Sequence, residues 1–582
     1  MKIINGDPLT FENEEYKVRL NWFDRMFNDQ LTPYNYWNEN REDINEKRGW
    51  TEYMEFVEAG DSKLELRWWV YKSQKSKEAQ APIVVLFEEF HNTSWQHVAD
   101  DEGLVILAFE YHRNLRLPES GEGTPGFSVK QDELDTFNKV IERTICECNA
   151  DRSRLYVTGR AYGEMIAMMY AKNYPGKVAA MALISGACSP YNIKSSGFEN
   201  ISPVPVIHIC GDQDIACDGY PAGVSIDITG NEKWLEYVRS CTFLYNRDLW
   251  ININGCDKDK LSITSLGGKI FFRYDSSAGD VIFNETAGGS IAPSIDYAYI
   301  IWNMLFRRYK RNSSGELIEH ETCRYEEDCF SAALAAGKDK AYFNGKTVEL
   351  GADCLILSNM DKVEEDHEFY GKSVCRGDSF YASLSLLDKV CGIKYEIEDL
   401  PECSTWYNCE AAERISLDDF KLKFLHKGDS YEVFSNTCII KVNGEIKNLG
   451  RPLLVIDGNP MFPVAELMKE LGYFSSFNND AVYITDHEVS IGYIASRIIR
   501  EELLTLQTEK KYCISKINEK EPFEILQKEV LPGESTTIIA DEGVTAITAY
   551  MNGVKIPVWK TADNRFEIYN IFGNVEIKSG LK

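Results

Sequence analysis

Asp151-Arg152-Ser153-Arg154-Leu155-Tyr156-Val157-Thr158-Gly159-Arg160-Ala161-Tyr162-Gly163-Glu164-Met165 is the stretch on which the fold turns. Leu155 to Thr158 is apolar enough to be buried on both faces, as a strand inside a helix-covered sheet must be. Two glycines, Gly159 and Gly163, then bracket Arg160, Ala161 and Tyr162, and small and apolar residues at helical spacing continue from Glu164 to Asn173. A strand that runs through Gly-x-x-x-Gly straight into a helix makes a tight turn, and that turn presents its central residue, here Ala161, at the edge of the sheet.

The same grammar extends on both sides of this unit. Lys63 to Tyr71 alternates as a half-buried strand. Continuous apolar strands are expected at Ile83 to Leu86, Leu104 to Phe109, Ala179 to Ser185, Val204 to Ile209 and Lys269 to Arg273. Helical periodicity fills Leu134 to Cys146 and Tyr297 to Tyr309 between and after them. Strands alternating with helices predict a doubly wound, mostly parallel α/β sheet. The polar run Lys310 to Gly315 sets its end, giving a first domain over residues 1–312.

Beyond that run the pattern changes. Tyr342-Phe343-Asn344-Gly345-Lys346 and Val442-Asn443-Gly444-Glu445 each place an Asn-Gly turn between short strands. Each is followed by a short helix closed by glycine, at Gly392 and Gly472. This predicts two small α+β modules, over residues 313–430 and 431–487. A helix from Ile491 to Leu506 and a β module, with a hairpin at Met551-Asn552-Gly553-Val554, fill residues 488–582.

A length of 582 residues exceeds one ordinary core, which agrees with such a multidomain reading. Lys plus Arg total 63 against 91 Asp plus Glu, and the net charge of -28 repels nucleic acid and anionic membranes. No apolar run approaches the ~20 residues that cross a bilayer, and the N-terminus lacks an apolar leader core. The chain is therefore expected in the cytoplasm, or at the cell surface or outside it if a leader has been removed. The 16 cysteines form no CxxC pair, and Cys188, Cys210 and Cys438 lie in apolar stretches, as buried thiols do.

On these residues the N-terminal half, from about 50 to 310, resembles the polyhydroxybutyrate depolymerase and feruloyl-esterase-like branch of the α/β-hydrolases. Asp151 to Met165 and the following Tyr174-Pro175-Gly176-Lys177-Val178 to Gly186 carry the likeness. The two small modules resemble the copper amine oxidase N-terminal, or stalk, domain. That name implies no copper here, because the second module holds only His487. No metal and no cofactor are expected.

The resemblance implies a catalytic triad, and here it fails. The nucleophile position holds Ala161, whose methyl group cannot attack a carbonyl, and loss of a triad nucleophile removes about a millionfold of rate. Asp214, in Gly211-Asp212-Gln213-Asp214, stands where the acid belongs, and Asp280 is expected where the base should be. The oxyanion region, to which Tyr162 also belongs, reads Phe87-Glu88-Glu89-Phe90-His91, so that Glu88 and Glu89 would oppose a developing negative charge. Phe90, His91 and Arg160 are candidate pocket residues. His208 reads as a core imidazole, and the aromatic run Trp22 to Trp37 as packing or a stacking platform.

Three functions follow as expectations. The first is a catalytically silent esterase fold that binds a saccharide, a polyester-like ligand or a protein partner. The second is a hydrolase rebuilt around Glu88, Glu89, Asp214 and Asp280, acting directly or through a hard cation. The third is a structural component of the cell envelope.

Overall fold

A computed structural model describes residues 49–59, 62–77, 79–88, 93–110, 131–160, 162–188, 190, 193, 196–211, 217–218, 232–266, 268–286, 295–322, 330–343, 346–358, 361–363, 378–400, 406–408, 412–416, 419–500 and 511–581. Its largest element is a 10-stranded sheet. The strands are β1 (Trp50–Ala59), β2 (Ser62–Lys72), β3 (Ala81–Glu88), β4 (Val105–Glu110) and β5 (Ala150–Arg160). The rest are β6 (Val178–Ile184), β7 (Val206–Gly211), β8 (Leu261–Leu266), β9 (Lys269–Tyr274) and β10 (Val281–Thr286). They lie in the order β1-β2-β4-β3-β5-β6-β7-β10-β9-β8. The run from β4 to β10 is parallel, flanked by antiparallel pairs at both edges. This is a mixed, mostly parallel sheet with a hairpin added at one side.

Helices cover both faces because each carries one apolar stripe. On one face lie α2 (Gln131–Cys148), α3 (Tyr162–Asn173) and α4 (Glu232–Asn254). From α2, Leu134, Phe137, Ile141 and Ile145 reach the same core as Val85 and Val157 of the sheet, one helical turn apart at each step. On the other face α1 (Thr93–Glu102) and α5 (Ile295–Met304) bury Trp95, Val98, Ile301 and Trp302 against Val84, Tyr156 and Ile207.

Two readings of the sheet need correction. Lys269 to Arg273 does form a strand, β9, but it runs antiparallel and is not the last strand of the parallel series. That place belongs to β10, which pairs parallel with β7 from Val281 opposite Val206 to Thr286 opposite Gly211. The end of the α/β unit also moves. Residue 312 lies inside a hairpin in which Tyr309–Arg311 pairs with Leu317–Glu319. Arg311 ties that hairpin to the sheet by donating to the carbonyls of Val178 and Pro203.

The expected modules 313–430 and 431–487 are not separate bodies. Strand Ser331–Ala335 of the first pairs with Ala481–Thr485 of the second, Ala332 opposite Ile484. The boundary at 430 cuts strand Asp429–Phe434, which pairs with Phe420–His426 on one side and Ile439–Val442 on the other. One core, including Leu334, Phe380, Leu422, Ile440, Leu467 and Ile484, runs through both. A hairpin and one short helix, α6 (Ser385–Lys389) or α7 (Val464–Glu470), cannot bury its own apolar face, so the two repeats interleave. Two of the expected Asn-Gly turns form tight hairpins, and the third, Asn344-Gly345, lies outside the described residues. Asn443 and Gly444 have φ of 52° and 83°, and Asn552 and Gly553 of 49° and 80°, the left-handed pair that a two-residue hairpin requires.

The helix expected from Ile491 is described as α8 (Tyr493–Ile499). Its residues Ile494, Ala495, Ile498 and Ile499 join the core of the α/β sheet, so α8 belongs with that sheet and not with the C-terminal β module. The latter is two stacked sheets between Tyr512 and Leu581 with a core of its own, including Ile514, Ile538, Ile568 and Ile577. Among the described residues no helix is long and apolar enough to cross a membrane.

Candidate functional site

The turn between β5 and α3 is built by its two glycines. A Cβ added at Gly159 would stand 2.0 Å from the carbonyl oxygen of Gly163, so the strand end and the helix start cross at a distance only hydrogen permits. The carboxyl end of β5 at Arg160 and the start of α3 at Tyr162 are thus held close together at the edge of the sheet. Ala161 itself lies outside the described residues, as do Glu89, Phe90, His91, Asp214 and the Trp22 to Trp37 run. Glu88 closes β3 and Arg160 closes β5; Phe87 pairs with Gly159, which puts both residues at the same carboxyl edge. Tyr162 opens α3.

Asp280 does not join them. It immediately precedes Val281, the first residue of β10, and its carbonyl accepts from the backbone N–H of Val206 at the start of β7. It therefore sits at the amino edge, about 20 Å along the strand from the turn at the other end. The sequence expectation that Asp280 stands in the base position is therefore not met. The segment that follows β10, residues 287–294, reads Ala-Gly-Gly-Ser-Ile-Ala-Pro-Ser and contains no histidine. Asp280 instead holds a buried structural node. Its carboxylate accepts from Arg273 at 2.8 Å, from Arg308 and from the backbone N–H of Ser276. Burial pushes its pKa up to about 6, against the pull of Arg273. Asp280 therefore does not stand at the carboxyl edge where β3 and β5 end.

His208 lies on β7 beneath the turn, 1% exposed, with Phe243 and Phe283 packed around its ring. Its Nε2–H donates to the carbonyl of Gly186 at 2.7 Å, and burial pulls its pKa down to about 4. The neutral ring is thus a core imidazole, with the fully buried Glu164 of α3 at 3.7 Å. Neither group reaches solvent. Nearby, Asn246 of α4 bonds both the N–H and the carbonyl of Cys188, pinning the segment after β6.

One serine, histidine and carboxylate set does occur among the described residues, and sequence reading missed it. Ser265 of β8 lies 2.9 Å from His487 Nε2, and His487 Nδ1 lies 2.7 Å from Asp486 Oδ1. The serine is 222 residues from the histidine, so no local motif signals the pair. It stands five strands from β5, about 24 Å across the sheet, and is separate from the Ala161 turn.

No protein-family profile matches the chain. One curated protein, the bifunctional acetylxylan esterase/xylanase XynS20E of Neocallimastix patriciarum, is 30% identical over 125 residues, covering 21% of this chain and 16% of that protein. The chain thus spans about a sixth of the length of that relative. Among solved structures, the acetyl xylan esterase from Aspergillus awamori is similar at 13% identity and a TM-score of 0.30, over 44% of this chain and 98% of that one. The LpqC poly(3-hydroxybutyrate) depolymerase from Bordetella parapertussis is similar at 13% identity and a TM-score of 0.24, over 29% and 67%.

Proposed function

We propose that the α/β unit is a catalytically silent carbohydrate-esterase or polyester-esterase fold, in which the old cleft and the appended modules bind a ligand or partner. One observation carries this reading: the turn residue is Ala161, and no histidine stands between His208 and His320, where the base would have to follow β10. Without the hydroxyl and the imidazole, acyl transfer at that turn has neither nucleophile nor proton acceptor. The retained glycine crossing is needed for packing whether or not chemistry survives. The interleaved module over residues 331–485, which resembles the stalk domain of copper amine oxidases, is on this reading a binding appendage.

Incubation with p-nitrophenyl acetate and with acetylated xylan is the test. The expected result is no hydrolysis of acetylated xylan above the buffer rate and no turnover of p-nitrophenyl acetate that depends on the cleft, together with retention of the chain on acetylated xylan. Turnover that is unaffected by substitution of any serine outside the cleft would defeat the proposal.

A second reading, a carbohydrate-ester hydrolase that activates water through carboxylates, draws on the 30% identity to an acetylxylan esterase/xylanase. It expects deacetylation of xylan that is lost in Asp214→Ala. Activity that persists in that variant would exclude it.

A further inference from the structure

We propose that Ser265, His487 and Asp486 form an activated-serine site at the seam between the α/β sheet and the module, reactive toward small activated acyl and phosphoryl esters. The site is recognised by geometry, as such triads are, and not by position in the chain.

The hydrogen bonds define the roles. His487 Nδ1 faces the Asp486 carboxylate at 2.7 Å and the Thr485 hydroxyl at 3.1 Å. A carboxylate can only accept, so Nδ1 carries a proton, and the neutral form of the ring then presents a lone pair at Nε2. The partner of that lone pair is Ser265 Oγ at 2.9 Å, which therefore donates. A hydroxyl donating to a neutral imidazole oriented by a carboxylate is the ground state of an activated serine.

The location agrees. Ser265 pairs with Ile270, Ile270 with Glu285, and Glu285 with Cys210 in the last turns of β10 and β7. Ser265 is thus level with the carboxyl ends of the parallel strands, the edge on which open α/β sheets bind ligands. It also lies at a junction of two cores, where sites concentrate. Ser331 of the module donates to the Ile263 carbonyl two residues away along β8, fixing the two sides of the seam. The Asp486 carboxylate is 44% exposed, the His487 ring 10% and Ser265 2%, so the relay meets solvent at its acidic end and the serine lies buried behind it.

The step balances. Ser265 Oγ attacks the acyl carbon or phosphorus, and His487 Nε2 takes its proton. The bond to the leaving group breaks, and that proton follows the departing oxygen or fluoride, leaving a serine ester and a free alcohol or HF.

Incubation of the full chain with diisopropyl fluorophosphate, followed by peptide mass spectrometry, tests the site. An adduct on the Ser265 peptide is expected, formed at least tenfold more slowly in His487→Gln and in Asp486→Asn, with the exposed Ser314 unmodified. The Asp486 variant changes a half-exposed side chain and keeps the fold if the histidine variant does not. Absence of the adduct on Ser265, or labelling indifferent to both substitutions, overturns the proposal. Ester turnover lost in Ser265→Ala belongs to this site and leaves the silent cleft intact; turnover retained in Ser265→Ala counts against the silent cleft instead.

Discussion

An imidazole packed among Phe243 and Phe283 has no water to solvate a charge, and His208 accordingly has its pKa drawn from 6.5 to about 4 by burial. In the unfolded chain it would protonate near 6.5, so between the two values the unfolded state binds more protons. The stability this ring contributes is complete above pH 6.5 and is lost as pH falls through 4, by roughly 3 kcal/mol in all. Urea unfolding of the native chain and of His208→Gln at pH 7 and pH 4.5 should show the native chain losing more stability than the variant. Equal losses would mean that His208 is not the group that senses acid. Asp280 belongs to the same scale. It titrates in the fold, but between guanidinium groups at the wrong edge, and its burial is that of a structural carboxylate.

At the scale of elements, the glycine crossing and the buried Glu285 explain what could be read and what could not. Gly159→Ala would drive a methyl into the Gly163 carbonyl, and the expected cost is at least about 3 kcal/mol, seen as a fall in the melting temperature or loss of soluble chain. An unchanged melting temperature would refute the crossing. Gly-x-x-x-Gly was legible because only glycine meets that steric demand. Strand β10 was not, because Asn284 and Glu285 interrupt its apolar run. Their polar groups are satisfied by tertiary partners that no local pattern reveals. Asn284 donates to the Ile270 carbonyl, and Glu285 accepts from the N–H groups of Gly492, Ile494 and Ala495 at the start of α8. Helix α4 hides for the same reason, with Asn246, Arg247 and Asp248 buried in its middle. Asp280, expected in the base position, immediately precedes strand β10 and so lies at the amino edge. The Glu285 bonds can be tested directly. Glu285→Gln removes the charge from a buried carboxylate held by three donors and should cost about 2 kcal/mol. Faster amide exchange in Tyr493–Ile499 should accompany it. Exchange confined to native rates there would contradict the contact.

At the scale of the whole molecule, the cores set the units of unfolding. Ala333, Ala335, Tyr483, Ile491 and Ile494 share one core with Val85, Val157 and Ile263, so the module and α8 complete the α/β sheet. They cover the side of β8, which would otherwise present an unpaired, apolar strand to solvent. The C-terminal sheets keep a separate core and meet the rest at narrower contacts, Gly533 against Pro190 and Cys241 of α4 against their interior. A chain ending at residue 320 should therefore aggregate through the exposed Leu261 and Ile263 of β8, whereas one ending at residue 510 should stay soluble. Calorimetry of the full chain should resolve one transition for residues 50–499 together and another for residues 511–581. A monodisperse 1–320 fragment with a cooperative melt would show that the seam carrying Ser265 and His487 is an accessory contact. Its failure to fold alone would place that seam inside the smallest stable unit, where the serine and its histidine, supplied by opposite sides, stay aligned only while the unit is whole.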